Sequence, residues 1–361
     1  MIDYKDQNPY QRPTKRRSLL RKLPKLPKRW RERERGRGWI LGILILLFIV
    51  LMVVLNFYWG QEPSQFDVRK VAEDRAGRLN ENVVSGYITT HTLMEIARTL
   101  LDKPGGYLTN DVVPPSTFMD NIPSWEFAVL VQVRDFTKVL RNDISRAQTQ
   151  SRENPDLAKA EPKFNIDSRS WIFPAAEGEY RKGIQALERY LKGLGQADNP
   201  NTQFFSRADN LRDWLKIVAS RLGSLSQRLS ASVGQERINT DLVGEPEAQP
   251  STETSVSMNI KTPWMQVDNV FYEARGTSWA LIHLFSAIEI DFRKVLQKKN
   301  AVRSVQQIIR ELEATQRPVW SPYVLNGSDF GFFANYSLVM SSYISRANAA
   351  IIDLRELLAR G

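Results

Sequence analysis

An uncharged apolar stretch of 21 residues, 39–59, is the feature that most constrains the fold of this chain. As a helix rising ~1.5 Å per residue it would be ~31 Å long, which matches the hydrocarbon core of a bilayer. Trp39 stands at one end, and Phe57, Tyr58 and Trp59 stand at the other. Aromatic rings favour the boundary between lipid and water. We therefore predict a transmembrane helix over residues 39–59.

Two other interpretations of this stretch, a cleaved signal peptide and a buried core helix, fit the sequence less well. The charged region before it is 38 residues long, and Gly60-Gln61-Glu62-Pro63 after it has no small-x-small cleavage pattern. The apolar run also exceeds the ~7–15 residues of a signal-peptide core. A core helix is rarely apolar without interruption over such a length.

The charge of the chain lies almost entirely in its first 38 residues. These residues hold 14 Lys/Arg and 4 Asp/Glu, which accounts for the whole net charge of +10 and leaves residues 39–361 neutral. A nucleic-acid-binding domain would carry a basic surface of its own. We therefore expect no nucleic-acid partner.

The flanks of the span predict its orientation. Nine Lys/Arg lie in residues 19–38 and four in residues 60–79. Because an excess of Lys/Arg stays in the cytoplasm, we expect a cytoplasmic N-terminus and an outer portion, residues 60–361, in the periplasm. The chain has no cysteine, so disulfides, thiolate metal sites and a Cys nucleophile play no part.

Residues 1–38 are predicted to be a disordered basic tail, because four prolines interrupt any helix there. Basic and apolar residues alternate near the span, as expected of a segment on an anionic lipid surface. Two alternatives stay open, a topology signal alone and a docking site for a cytoplasmic partner. The residues predicted to contact the lipid surface are Arg29, Trp30, Arg31, Arg33, Arg35 and Arg37.

The outer portion has the apolar period of helices, so the predicted fold is all-α: one transmembrane helix followed by a multi-helix bundle. Residues 149–168 are predicted to be a polar connector. Residues 233–262, rich in Ser, Thr, Glu and Pro, are predicted to be a flexible linker between two helical regions, 60–232 and 263–361, that pack together. The predicted helices cover 68–79, 84–101, 125–144, 176–194, 205–229, 264–295, 301–314 and 329–358.

An internal duplication of a helix–loop–helix unit is a further hypothesis. Tyr87 and Trp279 are each followed four residues later by a histidine, then by a loop and a long helix. The hypothesis predicts that residues 85–148 superpose on residues 277–355.

His91 and His283 are the chain's two histidines. At duplicated positions they would meet as metal ligands or as an acid–base pair, with Glu95 or Asp291 completing the set. Zinc takes three or four protein ligands, so two histidines make a poor site. The alternative is that each histidine is hydrogen-bonded inside a helix interface, and we assign no metal and no cofactor.

Glu273 and Arg275 directly precede Gly276, which is expected to interrupt an otherwise continuous helix. With His283 and His91 they are the candidate catalytic residues, and structural ion pairing is the alternative. Glu289 and Asp291 lie ~200° apart on a helix and cannot form a carboxylate pair. The sequence has no phosphate-binding Gly loop, zincin motif or nucleophile elbow.

Three strings resemble a bacterial family known as domain of unknown function 2333. They are Pro123-Ser124-Trp125-Glu126-Phe127, Ala160-Glu161-Pro162-Lys163-Phe164-Asn165 and the run Tyr272-Glu273-Ala274-Arg275-Gly276-Thr277-Ser278-Trp279. The resemblance covers nearly the whole chain. It implies a single-pass inner-membrane protein, and it implies no activity and no catalytic residues.

We interpret the chain as an inner-membrane-anchored periplasmic interaction or scaffold module that contacts the bilayer and an envelope protein. The alternative is a periplasmic enzyme acting on a cell-wall or glycan substrate, with Glu273, Arg275 and His283 near its site. A sensor is a third possibility, but a 38-residue tail has no room for a signalling module. The sequence leaves the oligomeric state open.

Overall fold

The computed structural model describes residues 28–147, 152–196, 202–238, 257–321, 323–328 and 332–360, with the backbone alone for 28–37, 237, 238, 257 and 258. The chain forms two units, residues 1–51 and residues 52–361. Every contact given below lies within the second unit.

The first helix, α1, covers Lys28–Trp59. Its part Gly38–Trp59 is long and apolar enough to cross a membrane and contains no buried residue, a description that fits membrane anchors and signal sequences alike. The helix begins eleven residues before the predicted span, so residues 28–38 are helical where a disordered tail was expected. The reason is that no proline follows Pro27 until the helix has ended.

The described residues of the second unit form a helical bundle, which confirms the predicted all-α class. Two four-residue strands are the exception. Short 3₁₀ turns at Ser116–Phe118 and Trp264–Gln266 precede two of the helices. The elements are α2 (Val68–Leu79), α3 (Tyr87–Asp102), α4 (Asn121–Val139, with a π-helical turn Leu140–Ile144), α5 (Pro155–Phe164), α6 (Ala176–Leu194), α7 (Ala208–Ser230), β1 (Gln235–Ile238), β2 (Ser257–Ile260), α8 (Val267–Asp291), α9 (Arg293–Lys298), α10 (Val302–Ala314) and α11 (Tyr336–Ala359).

One helix, α5, lies inside the segment predicted to be a polar connector, and that prediction is wrong for residues 155–164. Two prolines in ten residues argued against a helix. However, Pro155 is the first residue of the helix, where its missing N–H is not needed. The Asn154 side chain caps the helix by accepting from the N–H groups of Asp156 and Leu157 at 3.0 and 3.2 Å.

The core is built around α8, which packs against α4 and also contacts α3 and α10. Trp279 of α8 lies 5.2 Å from Trp125 of α4, measured between ring centroids. Trp214 of α7 lies 4.9 Å from Phe285 of α8. A single hydrophobic core therefore contains residues from both sides of segment 233–262.

Gly276 lies within α8 without interrupting it, so the expected break is wrong. A Cβ added there would lie 2.4 Å from the backbone oxygen of Trp125. At Gly276 the backbones of α8 and α4 therefore come so close that no side chain fits between them.

The two ends of the segment predicted to be a flexible linker pair with each other. β1 and β2 pair antiparallel, with Gln235 opposite Ile260 and Ile238 opposite Ser257. The Thr262 N–H donates to the Ala231 oxygen at 2.9 Å and continues the closure toward α7. Residues 239–256 lie outside those described.

The duplication hypothesis stays a prediction. Tyr87 is the first residue of α3, whereas Trp279 lies in the second half of α8. The second segment also contains α9 and α10, which have no counterpart between α3 and α4.

Candidate functional site

The juxtamembrane segment, residues 60–67, runs from α1 to α2 and is held by two candidate residues of α8. Arg275 donates from Nε and Nη2 to the Glu62 carboxylate at 2.6 and 2.5 Å, with the two side chains only 9 and 15% exposed. Its Nη1 donates to the backbone oxygens of Thr315 and Arg317 at 3.0 and 2.9 Å. This bidentate ion pair therefore joins α8, the juxtamembrane segment and the end of α10.

His283 holds the same segment two turns further along α8. The Phe66 N–H donates to Nε2 at 3.0 Å, and the Phe66 ring stacks on the imidazole at 4.0 Å. Nδ1 lies 2.7 Å from the Trp279 oxygen, which can only accept, so Nδ1 carries the proton. Burial lowers the pKa of His283 from 6.5 to about 4. The ring is therefore neutral near pH 7, with both nitrogens engaged in structural hydrogen bonds.

His91 lies in a different environment. Its Nε2 is 3.4 Å from Glu95 Oε1, and Arg98 also donates to that oxygen, at 2.7 Å. Burial, together with the charges of Arg75, Arg98 and Arg78, lowers the pKa of His91 from 6.5 to about 4. Neither histidine's described contacts include the other.

Of the two carboxylates proposed to complete a histidine site, Glu95 lies beside His91, whereas Asp291 has another partner. Asp291 accepts from the Thr89 N–H at 2.7 Å, at the start of α3, and burial raises the pKa of its carboxyl. Glu289 accepts from Gln306 at 2.7 Å. Among the described residues, no group of three or more His, Asp or Glu side chains could hold a metal ion.

Glu273 lies in an open cleft that two hollows form. A hollow of about 990 Å³ lies between the 108–124 segment and the start of α8, and another of about 710 Å³ lies between α4 and α7. They share Phe127, Arg228 and Glu273. Arg228 donates to both oxygens of Glu273, at 2.6 and 2.5 Å. We name the two hollows together the Arg228–Glu273 cleft.

The larger hollow carries further charge. Asp111, Asp120, Asp167 and Arg169 line it with Glu273 and Arg228. Burial raises the pKa of Asp111, and the nearby charge of Glu177 raises it further. The cleft therefore combines acidic, basic and aromatic side chains on an accessible surface.

A buried ion pair that the sequence analysis missed fixes one wall of this cleft. Lys103 Nζ lies 2.7 Å from Glu126 Oε1, and both side chains are fully buried. Glu126 also accepts from the N–H groups of Leu108 and Thr109 at 2.9 and 2.8 Å, and Lys103 donates to the Gly106 oxygen at 2.7 Å. A signal was present, because Glu126 falls in the apolar stripe of α4, one turn after Ile122 and one turn before Leu130.

The structure thus separates the candidate catalytic residues. Glu273 lines the Arg228–Glu273 cleft, Arg275 and His283 hold the juxtamembrane segment, and His91 contacts Glu95 on α3. Trp59 ends the apolar part of α1 as expected, and Trp39 is its second residue. The predicted lipid-surface residues, Arg29, Trp30, Arg31, Arg33, Arg35 and Arg37, lie where the backbone alone is described, so that contact stays a prediction.

The sequence model of a family described as an uncharacterized protein conserved in bacteria (DUF2333) matches residues 32–361. No curated protein and no solved structure matches the chain.

Proposed function

The chain belongs to this bacterial family, DUF2333, and we propose that it is a single-pass inner-membrane protein whose periplasmic helical unit is an interaction module for an envelope protein. In this proposal α1 crosses the membrane with its N-terminus in the cytoplasm. The excess of Lys/Arg before the span supports the orientation. The exposed apolar side chains of Gly38–Trp59 support the crossing.

Reporter fusions to the C-terminus of the full chain test this topology. A reporter that is active only in the periplasm should work, and one that is active only in the cytosol should stay silent. Replacing the nine Lys/Arg of residues 19–38 by Gln should reduce or reverse this preference, because those charges hold the N-terminus inside. A silent periplasmic reporter beside an active cytosolic one contradicts the proposed topology.

The Arg228–Glu273 cleft is the observation that supports an interaction module. It is open and wide, and the loop before α4 joins α4, α7 and α8 in lining it. Phe127 is exposed beside the Arg228–Glu273 ion pair. Exposed aromatic rings and Arg side chains are enriched at protein interfaces, and a polar rim gives such interfaces specificity.

Photo-crosslinking in native membranes tests the cleft. A benzoylphenylalanine at position 127 replaces a ring of related shape, and the same probe at Ile352 is the control. Ile352 is exposed on α11 and lies outside both hollows. We expect an adduct of defined mass from position 127 and none from position 352, in the full chain and in a chain without residues 1–38.

Charge exchange sharpens this experiment. Arg228→Glu or Glu273→Arg alone should remove the adduct, because each places like charges side by side. The double exchange should restore it, since the ion pair between α7 and α8 re-forms. Equal adducts from positions 127 and 352, or an adduct that ignores both single exchanges, contradict the proposed cleft.

A second candidate function, an enzyme acting on a cell-wall or glycan substrate, is favoured by the carboxylates of the same cleft. Glycoside cleavage uses two carboxyl groups, one of them an acid with a raised pKa. Asp111 has a raised pKa, and Asp120, Asp167 and Glu273 line the same hollow. In this case the full chain in nanodiscs should release reducing ends from cell-wall glycan strands, and Asp111→Asn should abolish the release. Absence of any release contradicts the enzyme and leaves the crosslinking test unaffected.

A further inference from the structure

Half of the six tryptophans beyond α1 are unusually exposed. Trp171, Trp264 and Trp320 are 56, 77 and 93% exposed, whereas Trp125, Trp214 and Trp279 are buried. All three exposed rings lie outside the α-helices, two in loops and one in a 3₁₀ turn. Large apolar rings gathered on a surface mark a site of contact with another apolar phase.

The loop between α3 and α4, residues 103–120, lies against the end of α1 and connects the exposed rings to it. A Cβ added at Gly105 would lie 2.7 Å from Trp59 Cγ, and one added at Gly60 would lie 3.6 Å from Met119 Cε. The same segment carries the exposed side chains of Val112, Val113 and Phe118. It therefore surrounds the point where the apolar part of α1 ends.

The loop that carries Trp171 is fastened to the loop between α3 and α4. Tyr107 donates from its hydroxyl to the Ser168 oxygen at 3.2 Å, and Asn110 donates from Nδ2 to the Ser170 oxygen at 2.9 Å. Ile172 and Phe173, which follow Trp171, are also exposed.

Trp264 and Val319, the residue before Trp320, line hollows near the same point. Trp264, Met265 and Tyr323 line a hollow of about 370 Å³ together with Asp120, the residue after Met119. Val319, which precedes Trp320, lines both this hollow and another of about 720 Å³ whose wall includes Gly60–Gln65. The exposed rings thus gather around residues 59–65.

We infer that Trp171, Trp264 and Trp320, with the exposed apolar side chains beside them, lie in the headgroup layer of the bilayer that α1 crosses. We name these three residues the tryptophan collar. The inference rests on the crossing by α1 in the proposed function. Tryptophan favours the headgroup layer, where its ring is in an apolar region and its N–H stays in contact with water. Irregular backbone does not enter the hydrocarbon core exposed to lipid, so the collar stops at this depth.

The juxtamembrane segment supplies the reason for choosing lipid over a protein partner. Its eight residues span at most ~28 Å when fully extended. They cannot extend to this length in the folded chain, because Arg275 holds Glu62 and His283 holds Phe66. The surface around residues 59–65 therefore stays beside the membrane. Lipid headgroups are always within reach of the collar there, and they cover its apolar side chains.

Site-specific spin labels on the full chain test the inference. The native chain has no cysteine, so Trp171→Cys, Trp264→Cys and Trp320→Cys each give a single labelled site in nanodiscs. Ile352→Cys is the matched control. It is exposed on α11, ~24 Å along the helix axis from Tyr336. The Tyr336 N–H donates to the backbone oxygen of Leu325, five residues after Trp320 of the collar.

The measurement is the ratio of collision rates with oxygen, which concentrates in lipid, and with a water-soluble nickel chelate. We expect this ratio to be several-fold higher at the three collar positions than at position 352. A label at Phe57→Cys in α1 distinguishes the two proposals. If the labels at position 57 and at the collar both collide mainly with nickel, the proposed membrane crossing by α1 is refuted. If the label at position 57 collides mainly with oxygen and the collar labels give the same ratio as position 352, only the collar inference is refuted.

Coverage by protein also overturns the inference. Labels protected from both oxygen and nickel would show that a second copy or a partner covers the collar. Dipolar broadening between labels that disappears when labelled chains are diluted with unlabelled ones would identify a second copy.

Discussion

Acidification from pH 7 to pH 5 is expected to weaken the hold of α8 on the juxtamembrane segment. His283 accepts from the Phe66 N–H through Nε2, and its pKa is about 4 in the folded chain against an ordinary 6.5. Protonation removes that acceptor. Because the unfolded chain binds this proton more readily than the folded one, stability falls as pH drops through 6.5.

The size of the stability loss follows from the pH interval over which only the unfolded chain binds the proton. Between pH 6.5 and pH 5 the unfolded imidazole is charged while the folded one stays neutral. At ~1.4 kcal/mol per pH unit, the lost unfolding free energy is about 2 kcal/mol. His91 has the same lowered pKa and contributes a similar amount. Asp291 titrates with the opposite sign because burial raises its pKa, so the histidine contribution must be measured from variants.

Urea unfolding of the full chain in nanodiscs at pH 7 and pH 5 measures this contribution. In His283→Gln the amide oxygen keeps an acceptor for Phe66 and does not titrate, so the acid-induced loss should shrink by about 2 kcal/mol. His91→Gln should shrink it equally. Only His283→Gln should abolish the acid-induced rise in hydrogen exchange at the Phe66 amide, after correction for the intrinsic rate. A His283→Gln chain with the full pH dependence of the parent would refute the reasoning.

Two substitutions test the other contacts of α8, each measured by urea unfolding of the full chain. Arg275→Met should cost about 3–5 kcal/mol, because it leaves the Glu62 carboxylate, 15% exposed, without its partner. Adding Glu62→Gln to Arg275→Met should recover a large part of the lost unfolding free energy. Equal stability of the single and double variants would contradict the ion-pair argument. Gly276→Ala should cost about 1–3 kcal/mol, because its methyl group would lie 2.4 Å from the Trp125 oxygen. The matched Gly223→Ala, with no atom closer than 3.5 Å to the new methyl group, should be neutral or stabilise by up to about 1 kcal/mol. If Gly276→Ala is as neutral or stabilising as Gly223→Ala, helix propensity decides and the clash argument is wrong.

The parts of the fold that the sequence predicted well are those set by local pattern. The apolar part of α1 has bounds close to the predicted ones because its apolar run is unbroken. The amphipathic helices α6 and α10 do as well, because one face of each is repeatedly apolar. The missed helix α5 depends on Pro155 being its first residue, directly after the Asn154 cap, and composition alone does not show this. The short hairpin of β1 and β2 depends on pairing across 18 intervening residues, for which a four-residue strand carries little signal.

The candidate site shows the same division. Arg275 was selected because it precedes Gly276, and His283 because it is one of the chain's two histidines; both are buried. Their partners, Glu62 and the Phe66 N–H, lie more than two hundred residues away in sequence. No periodicity predicts contacts of that separation, so the sequence offered catalysis and ion pairing as alternatives for Arg275. The structure pairs it with Glu62.

The hairpin of β1 and β2 makes the chain tolerant of length changes at one place. It holds Ile238 opposite Ser257, so the two ends of the connecting segment stay together at the bundle whatever number of residues lies between them. Doubling the length of a flexible loop costs only about 0.6 kcal/mol in closure entropy. A fluorescent domain or an affinity tag grafted between those two residues should leave the bundle intact, and would report the position of this protein in living cells without altering either terminus.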